Sequence, residues 1–256
     1  MQLAITGQIL MSSMPLDLTN KETTSLLKSG DVVRGQRIAW SSNSTFLVHI
    51  NAGRGNTLKA IYKPQSGEFP LSDFPNGTLY KRERAAFLIS RRLGWPNVPI
   101  TVIRDGPRGI GTMQLYVESD PRITYFDLVD DHFEQFMYFA AFDFLTNNAD
   151  RKGGHCLKDK HGTIWSVDHG LTFHSAFKMR TVMLEFWGKK IPEHILADIA
   201  SFSEKITGAN TSHKEDLVNL ISVPEIEALQ KRADFLIHAP VIPQLDPHLN
   251  IPWPLE

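Results

Sequence analysis

Short apolar runs separated by clusters of glycine, serine, asparagine and proline dominate the first half of the chain. This pattern is typical of strands joined by turns. It is interrupted over 79–93, where apolar residues recur at helical spacing until Gly94, a residue type that commonly ends helices. A shorter helix is predicted over 23–29. The predicted strands are 32–38, 45–51, 58–62, 99–104 and 111–118. The first half therefore predicts a short helix, three strands in an antiparallel meander, a longer helix and two further strands.

The second half has a mainly helical pattern. An aromatic-rich apolar run over 126–148 predicts a core helix, and it is followed by a polar segment and a hairpin-like stretch over 155–170. Residues 176–239 predict mainly helix, with Pro224 in the first turn of the last one. The proline-rich residues 240–256 predict an extended surface tail. The pattern predicts an α+β chain in four parts: a leader (1–22), a sheet-rich part (23–118), a helix-rich part (119–239) and the tail (240–256).

Composition narrows the choice of partners and compartment. The 256 residues carry a formal net charge of -1, which gives no bulk field to attract nucleic acid or an anionic membrane. No stretch approaches the roughly 20 apolar residues of a membrane span, so no stable membrane insertion is expected. The single cysteine, Cys156, excludes an internal disulfide framework and a cysteine-based zinc cluster. Together with the lack of a basic leading segment, these features predict a cytoplasmic protein.

A lysine and a glutamate form the first candidate pair. Lys63 ends the apolar strand AIYKP, and Glu83 lies in the first turns of the helix predicted over 79–93. A lysine that contacts the α- and β-phosphates of ATP must be held in place, and a helix glutamate can hold it. On these two residues alone, a solvated lysine and a surface helix acid are the favoured interpretation.

Two aspartates on loops form the second and third candidates. Asp150 follows an apolar helix in the segment TNNADRKGGHC, where it could orient or deprotonate a hydroxyl, and Arg151 and Lys152 add positive charge suited to phosphate. Asp168 ends an apolar strand and is followed closely by Gly170, an arrangement suited to presenting a carboxylate to a metal. Either segment taken alone also fits an ordinary surface turn.

Taken together and in this order, the fragments resemble the protein-kinase superfamily in its phosphatidylinositol 3- and 4-kinase-like branch, which also includes HipA-type protein kinases. The motifs KPxxGE, LYKRE, NNADRKGGH and VDHGLTFH are similar to those of a bacterial family related to these lipid kinases. The resemblance covers about residues 30–200. It implies a two-lobed protein-kinase-like fold, with an antiparallel sheet and one helix in the N-lobe and a mainly helical C-lobe. It also implies ATP and Mg²⁺ or Mn²⁺ as cofactors.

The resemblance also assigns roles to individual residues. Lys63 matches the phosphate-binding lysine, Glu83 the helix glutamate that holds it, Asp150 the catalytic-loop aspartate and Asp168 the metal-binding aspartate. The nucleotide-covering loop would contact phosphates through Ser42, Ser44 and Thr45. The hinge that pairs with adenine would be Gln114, Leu115, Tyr116 and Val117.

His155 departs from the kinase pattern. It stands where related kinases usually place an asparagine that binds the second metal through its amide oxygen. A neutral imidazole suits Mn²⁺ better than Mg²⁺, which prefers oxygen ligands. Metal ligation by His155 and simple packing beside Cys156 are both open at this stage.

The leading functional prediction is ATP-dependent transfer of phosphate to an unidentified hydroxyl, on a protein or small molecule rather than a lipid. Two alternatives follow from the same fold. The substituted asparagine and the glycine-poor loop would also suit an inactive nucleotide-binding pseudokinase, and related chemistry could transfer the nucleotide instead of the terminal phosphate. The sequence does not indicate an oligomeric state.

Overall fold

The first helix and a five-stranded sheet form one side of the molecule in the computed structural model, which describes residues 18–38, 43–207 and 216–256. Helix α1 spans Asn20–Ser29 and begins with a capping box between Thr19 and Glu22. The strands are β1 (Val32–Arg37), β2 (Phe46–Gly53), β3 (Asn56–Pro64), β4 (Thr101–Gly106) and β5 (Gly109–Leu115). Their order in the sheet is β1-β2-β3-β5-β4, and every neighbouring pair is antiparallel.

The sheet has one buried face and one face that carries Lys63. Side chains alternate along a strand, so Ala60 and Tyr62 of β3 lie in the apolar core with Leu27 of α1, while Ile61 and Lys63 are partly exposed on the opposite face. Strand β3 is paired on both sides, with β2 and with β5. This pairing fixes the position and direction of Lys63.

Helix α2 spans Leu79–Leu93 and is capped by Gly94. Gly94 has a left-handed φ of 85°, which glycine adopts without strain because it has no Cβ. It packs on β4 and β5, but its apolar residues, including Ala86 and Ile89, belong to the core of the C-terminal half. Helix α2 therefore joins the sheet to the helical part.

The C-terminal half contains short helices, two longer helices packed on each other, and a two-stranded hairpin. The elements are α3 (Tyr125–Leu128), α4 (Phe133–Thr146), β6 (Cys156–Lys158), β7 (Ile164–Ser166), α5 (Glu193–Thr207), α6 (Val223–His238) and α7 (Pro247–Asn250). Phe136, Phe139 and Phe142 of α4 lie at the centre of the core, as the apolar run predicts, whereas Phe133 at the start of the helix is exposed. In the part of the chain that the structure describes, no helix is both long and apolar enough to cross a membrane.

The α+β fold class is confirmed, and two local predictions are wrong. The helical pattern predicted over 126–148 is present as two helices, α3 and α4. The helix predicted from residue 176 starts only at Glu193, because the backbone before it bonds to other loops; Arg180 N donates to Asn148 O, for example. The tail contains α7 and is not extended throughout. The division into leader, two lobes and tail stays a prediction.

Candidate active site

Lys63, Glu83 and Asp168 meet in the cleft between the sheet and the hairpin, although they lie on three different elements. The Lys63 ammonium contacts the Glu83 carboxylate and lies 2.9 Å from Asp168 Oδ1. The Glu83 side chain is buried, whereas 49% of the Asp168 side chain is exposed. The pair predicted from sequence is therefore joined by a second carboxylate that reaches solvent.

Charge explains the protonation of this cluster. Burial alone would lower the pKa of Lys63, but attraction by Asp168 and Glu83 outweighs burial and raises the pKa well above its ordinary value. Burial would raise the pKa of Asp168, but the nearby Lys63 ammonium holds it well below its usual range. Lys63 is therefore a cation and Asp168 an anion at neutral pH.

The backbone around Asp168 is shaped to present its carboxylate. Asp168 follows β7 and has a left-handed φ of 61°, a conformation that aspartate adopts more readily than most residues. The next backbone N–H, of His169, donates to Glu83 Oε2 at 3.2 Å. One carboxylate on α2 thus holds both Lys63 and the turn that carries Asp168.

Asp150 lies on the loop after α4. Helix α4 ends at Asn147, which has a left-handed φ of 54°, and Asp150 N donates to Asn148 Oδ1 at 3.1 Å. Lys152 Nζ is 3.5 Å from Asp150 Oδ2. Burial raises the pKa of Asp150 to about 6, opposed by Lys152 and assisted by the negative charge of Asp168. A carboxylate with such a pKa can accept a proton near neutral pH.

His155 lies between the two aspartates. Its Nδ1 is 2.9 Å from the backbone carbonyl oxygen of Asp150, and its Nε2 is 3.6 Å from Asp168 Oδ2. Burial lowers the pKa of His155 to about 4, so the imidazole is neutral. Nδ1 also lies 3.4 Å from Lys152 N, but the shorter contact with a carbonyl oxygen, which can only accept, favours a hydrogen on Nδ1. In that tautomer the lone pair of Nε2 is directed to the Asp168 side.

The residues fit a divalent metal only in part. A carboxylate oxygen and a neutral imidazole nitrogen facing each other suit Mn²⁺ and similar ions. Among residues 18–38, 43–207 and 216–256, no group of three or more His, Cys, Asp or Glu is placed to hold a metal ion by itself. An ion here would need further oxygen ligands from phosphate or water, as Mg²⁺ and Mn²⁺ commonly have at nucleotide sites.

Arg151 is not available for phosphate, because its guanidinium is buried, whereas the role predicted for Lys152 stays a prediction. Both Arg151 and Asp143 are fully buried, and their closest N···O distance is 2.7 Å. The guanidinium also donates to Ser166 Oγ at 2.7 Å and to His169 Nε2 at 3.1 Å. We call these four residues, Asp143, Arg151, Ser166 and His169, the inner network. Its Arg151 follows the catalytic-loop candidate Asp150 in the chain and points into the core.

The predicted phosphate-covering residues are distributed unevenly. Ser44 lines the same small cavity as Lys63 and Asp168, whereas Thr45 is buried. Ser42 lies outside the described residues. From the described part of the predicted covering loop, Asn43 and Ser44 line the cavity.

The predicted hinge is mostly occupied by the protein's own hydrogen bonds. The Gln114 side chain is buried and donates to Thr101, Leu115 N donates to Ile100 O, and Tyr116 N donates to Lys59 O. Of the four hinge candidates, only Val117 has a backbone N–H without a hydrogen bond to the part of the chain that the structure describes. Gln114 and Leu115 belong to strand β5, so their backbone groups pair with the neighbouring strands.

Two residues that sequence reasoning missed support the site. Glu68 lines the cavity and accepts hydrogen bonds from the first two backbone N–H groups of α2, of Leu79 at 3.1 Å and Tyr80 at 2.8 Å. Its only sequence signal is its place in KPxxGE. Asp143 had a clearer signal, since it is an isolated charge within the apolar end of α4. Buried acids in such positions usually have a buried cation as partner.

The fold is similar to solved protein kinases. No protein-family model matches the chain. The Golgi casein kinase solved with Mn/ADP bound has a TM-score of 0.58 at 14% identity, covering 88% of this chain and 76% of that one. Hydra Fam20 solved with sugar has a TM-score of 0.52 at 13% identity, covering 84% and 86%. The Helicobacter pylori proinflammatory kinase CtkA has a TM-score of 0.50 at 12% identity, covering 84% and 94%. These likenesses show a protein-kinase-like fold.

A curated relative is much more similar in sequence. Protein Rv2133c of Mycobacterium tuberculosis is 39% identical over 264 residues, covering 90% of this chain and 94% of the relative. Identity at this level over nearly the whole of both chains shows common ancestry. The protein belongs to the same family as Rv2133c.

Proposed function

We propose that the protein is an ATP-dependent phosphotransferase of the phosphatidylinositol 3- and 4-kinase-like branch, with a hydroxyl group as acceptor. The observation that carries this proposal is the contact of one lysine with two carboxylates that lie 20 and 105 residues away, Glu83 and Asp168. Binding of a nucleoside triphosphate in kinases requires a lysine that contacts the phosphates and a nearby carboxylate that holds the metal ion. Similarity to the Golgi casein kinase, which was solved with Mn/ADP bound, supports ATP as the donor.

In this proposal each charged residue of the cleft has a separate task. Lys63 binds phosphate oxygens, and Glu83 holds its ammonium in one position. Asp150 accepts the proton of the acceptor hydroxyl, a task for which its pKa of about 6 is suitable. Lys152, beside Asp150, attracts the phosphate that is transferred. We call Lys63, Glu83, Asp150, Asp168 and His155 the cleft cluster.

Asp168 and His155 would hold the divalent metal. A bound metal would neutralise charge on the phosphate oxygens. His155 Nε2 faces Asp168 with its lone pair, and a nitrogen ligand favours Mn²⁺ over Mg²⁺. The Golgi casein kinase was solved with Mn/ADP bound, which supports the same pairing of metal and nucleotide here.

Single-turnover consumption of ATP tests the proposal. Purified protein is mixed with ATP labelled on the γ-phosphate, or in parallel on the α-phosphate, with Mg²⁺ or Mn²⁺ and a panel of protein and small-molecule hydroxyl acceptors. We expect transfer of the γ-label only, faster with Mn²⁺. Transfer of the α-label would show nucleotide transfer instead. ATP binding without any turnover on the whole panel would indicate a pseudokinase.

Two variants separate the roles of the aspartates. Asp150→Ala should keep metal-dependent ATP binding and lose transfer, whereas Asp168→Ala should lose metal-dependent binding itself. Asp131→Ala is the matched control, because Asp131 is exposed and belongs to neither the cleft cluster nor the inner network. Normal binding of nucleotide and metal by Asp168→Ala would contradict the role given to Asp168.

A further inference from the structure

Three buried residues of the sequence motifs have no task in the proposed chemistry. They are Arg82 of LYKRE and Asn147 and Asn148 of NNADRKGGH, and each has at most 1% of its surface exposed. All three bind the stretch that follows Asp168. We call residues 171–181 the 171–181 segment. Most of its length lies in the region where sequence predicts helix and the structure shows irregular backbone.

Asn147 makes three hydrogen bonds to this segment. Its Nδ2 donates to the carbonyl oxygens of His174 and Ala176, both at 2.8 Å, and its Oδ1 accepts from Lys178 N at 2.8 Å. A fully buried amide with both donors and its acceptor in use is specific for this backbone shape. The left-handed φ of 54° at Asn147 directs the side chain away from α4 and is well tolerated by asparagine.

Arg82 and Asn148 bind the two ends of the segment. Arg82 Nη1 donates to Thr172 O at 2.6 Å, and Asn148 O accepts from Arg180 N at 2.9 Å. Contacts from the loop before α2 add to this on the outer side, where Lys178 pairs with Asp73 at 3.1 Å. The segment is therefore held along its length by residues distant from it in sequence.

The segment in turn binds the backbone on both sides of Asp150. Ala149 N donates to Leu171 O at 2.8 Å, and Arg151 N donates to Arg180 O at 3.0 Å. A displacement of the segment would release both neighbours of the proposed base. Its position is therefore coupled to the position of Asp150.

We propose that Asn147 is a positioning residue, which holds the 171–181 segment in the shape that supports Asp150 before nucleotide or acceptor binds and without phosphorylation of the segment. The catalytic part of this inference rests on the proposed function. Thr172 and Thr181 are buried, and their hydroxyls bond to His169 O and to Met183 N. Phosphate could not be added to either threonine without unfolding the segment locally. The third hydroxyl of the segment, Ser175, is exposed, so the phosphatase result below tests Ser175.

Hydrogen exchange of the ligand-free, full-length protein tests the inference, followed by steady-state kinetics. The wild-type segment should show protected amides at Phe173, Lys178 and Arg180. Asn147→Gly keeps the left-handed backbone but removes three hydrogen bonds, so exchange in the segment should rise by about tenfold or more. Exchange in α1 should stay unchanged. The kcat should fall while the KM for ATP stays within about twofold, because the nucleotide contacts are retained.

Two further variants control for a general loss of structure. Asn147→Asp keeps the acceptor for Lys178 N but turns a carboxylate oxygen toward the carbonyl oxygens of His174 and Ala176, so exchange in the segment should rise and kcat should fall at least as much as in Asn147→Gly. Arg54→Gly also places glycine at a left-handed position, in the exposed β2–β3 turn, and should change neither readout.

Three results would overturn the inference. They are free exchange of the wild-type segment, unchanged exchange in Asn147→Gly, and loss of wild-type activity after phosphatase treatment. Exchange is measured without ATP, so the two proposals can fail separately. A chain that transfers no phosphate would contradict the proposed function, while the exchange data would still decide whether Asn147 orders the segment.

Discussion

The cleft cluster and the inner network are both built on an aspartate paired with a cation, but they differ in access to water. Asp143 and Arg151 have fully buried side chains, whereas Asp168 has 49% of its side chain exposed beside Lys63. The buried pair has nearly all its hydrogen-bonding capacity used within the protein. The open pair has carboxylate oxygen free for a ligand.

This difference separates stability from chemistry. A buried ion pair gives little net stabilisation over an apolar alternative, but removal of one partner leaves a charge stranded in the core. An ion pair open to the cleft can exchange its partner for metal or phosphate at small cost. We therefore expect inner-network variants to change the free energy of unfolding and cleft-cluster variants to change turnover or metal use.

The largest expected effect is on catalysis, from Asp150→Asn in the cleft cluster. Loss of the proposed base should reduce single-turnover phosphate transfer by about 10²–10⁴-fold. The free energy of unfolding at pH 8 should not fall, since burial disfavours the ionised carboxylate that the substitution removes. Rapid-quench kinetics and urea unfolding measure the two quantities. A variant that keeps full activity but has a lower free energy of unfolding would contradict the separation of stability from chemistry.

The second expected effect is on stability, from Arg151→Ala in the inner network. It leaves Asp143 buried without its cation and should lower the free energy of unfolding by about 3–5 kcal/mol, measured by urea denaturation. Arg122→Ala is the matched control, because Arg122 is paired with Asp120 at the same 2.7 Å but its side chain is 87% exposed. That substitution should cost less than about 1 kcal/mol. Equal costs would remove the distinction between the two kinds of pair.

A smaller effect is expected at Gly153, which lies between Arg151 and His155 in the chain. A Cβ at Gly153 would approach the Phe126 ring to 2.8 Å, so Gly153→Ala should cost about 1–3 kcal/mol by overpacking. Phe126 is partly exposed, and Phe126→Ala in the same chain should recover most of this loss. Thermal unfolding of the single and double variants measures the recovery. Additive losses would show that the Phe126 ring is not the obstacle.

The smallest effect is on metal preference, from His155→Asn in the cleft cluster. An amide oxygen in place of Nε2 should shift the ratio of Mg²⁺-supported to Mn²⁺-supported transfer toward Mg²⁺ by on the order of tenfold. Stability should change little. An unchanged ratio would argue that His155 only packs beside Asp150 and does not bind the metal.

The sequence predicts the sheet better than it predicts the loops, and it predicts the meeting of Lys63 with Glu83 only through the resemblance to kinases. Strand β3 and helix α2 have strong periodicity, and each carries one of the two residues at a definite position. In loops no periodicity predicts which side chains are buried and which face the cleft. Arg151 and Lys152 are adjacent and equally charged in sequence, yet one is fully buried and the other lies near Asp150.

The same limit explains the wrong helix before Glu193. Its residues have adequate helix propensity, but their backbone groups bond to residues such as Asn147 and Asn148, about 30 positions earlier. Tertiary partners of this kind override local propensity and are invisible to periodicity. The isolated Asp143 in an apolar helix is a sequence feature that indicates a buried cation.

Helix α2 has consequences for motion as well as for charge. Arg82 pairs with Glu225 of α6 at 2.6 Å, and the neighbouring Glu83 contacts Lys63 of the sheet. The first contact is buried and the second faces the cleft. The helix is thus joined by one ion pair to the C-terminal half and by another to the sheet, so any opening of the cleft must either move α2 with one part or break one of these two contacts.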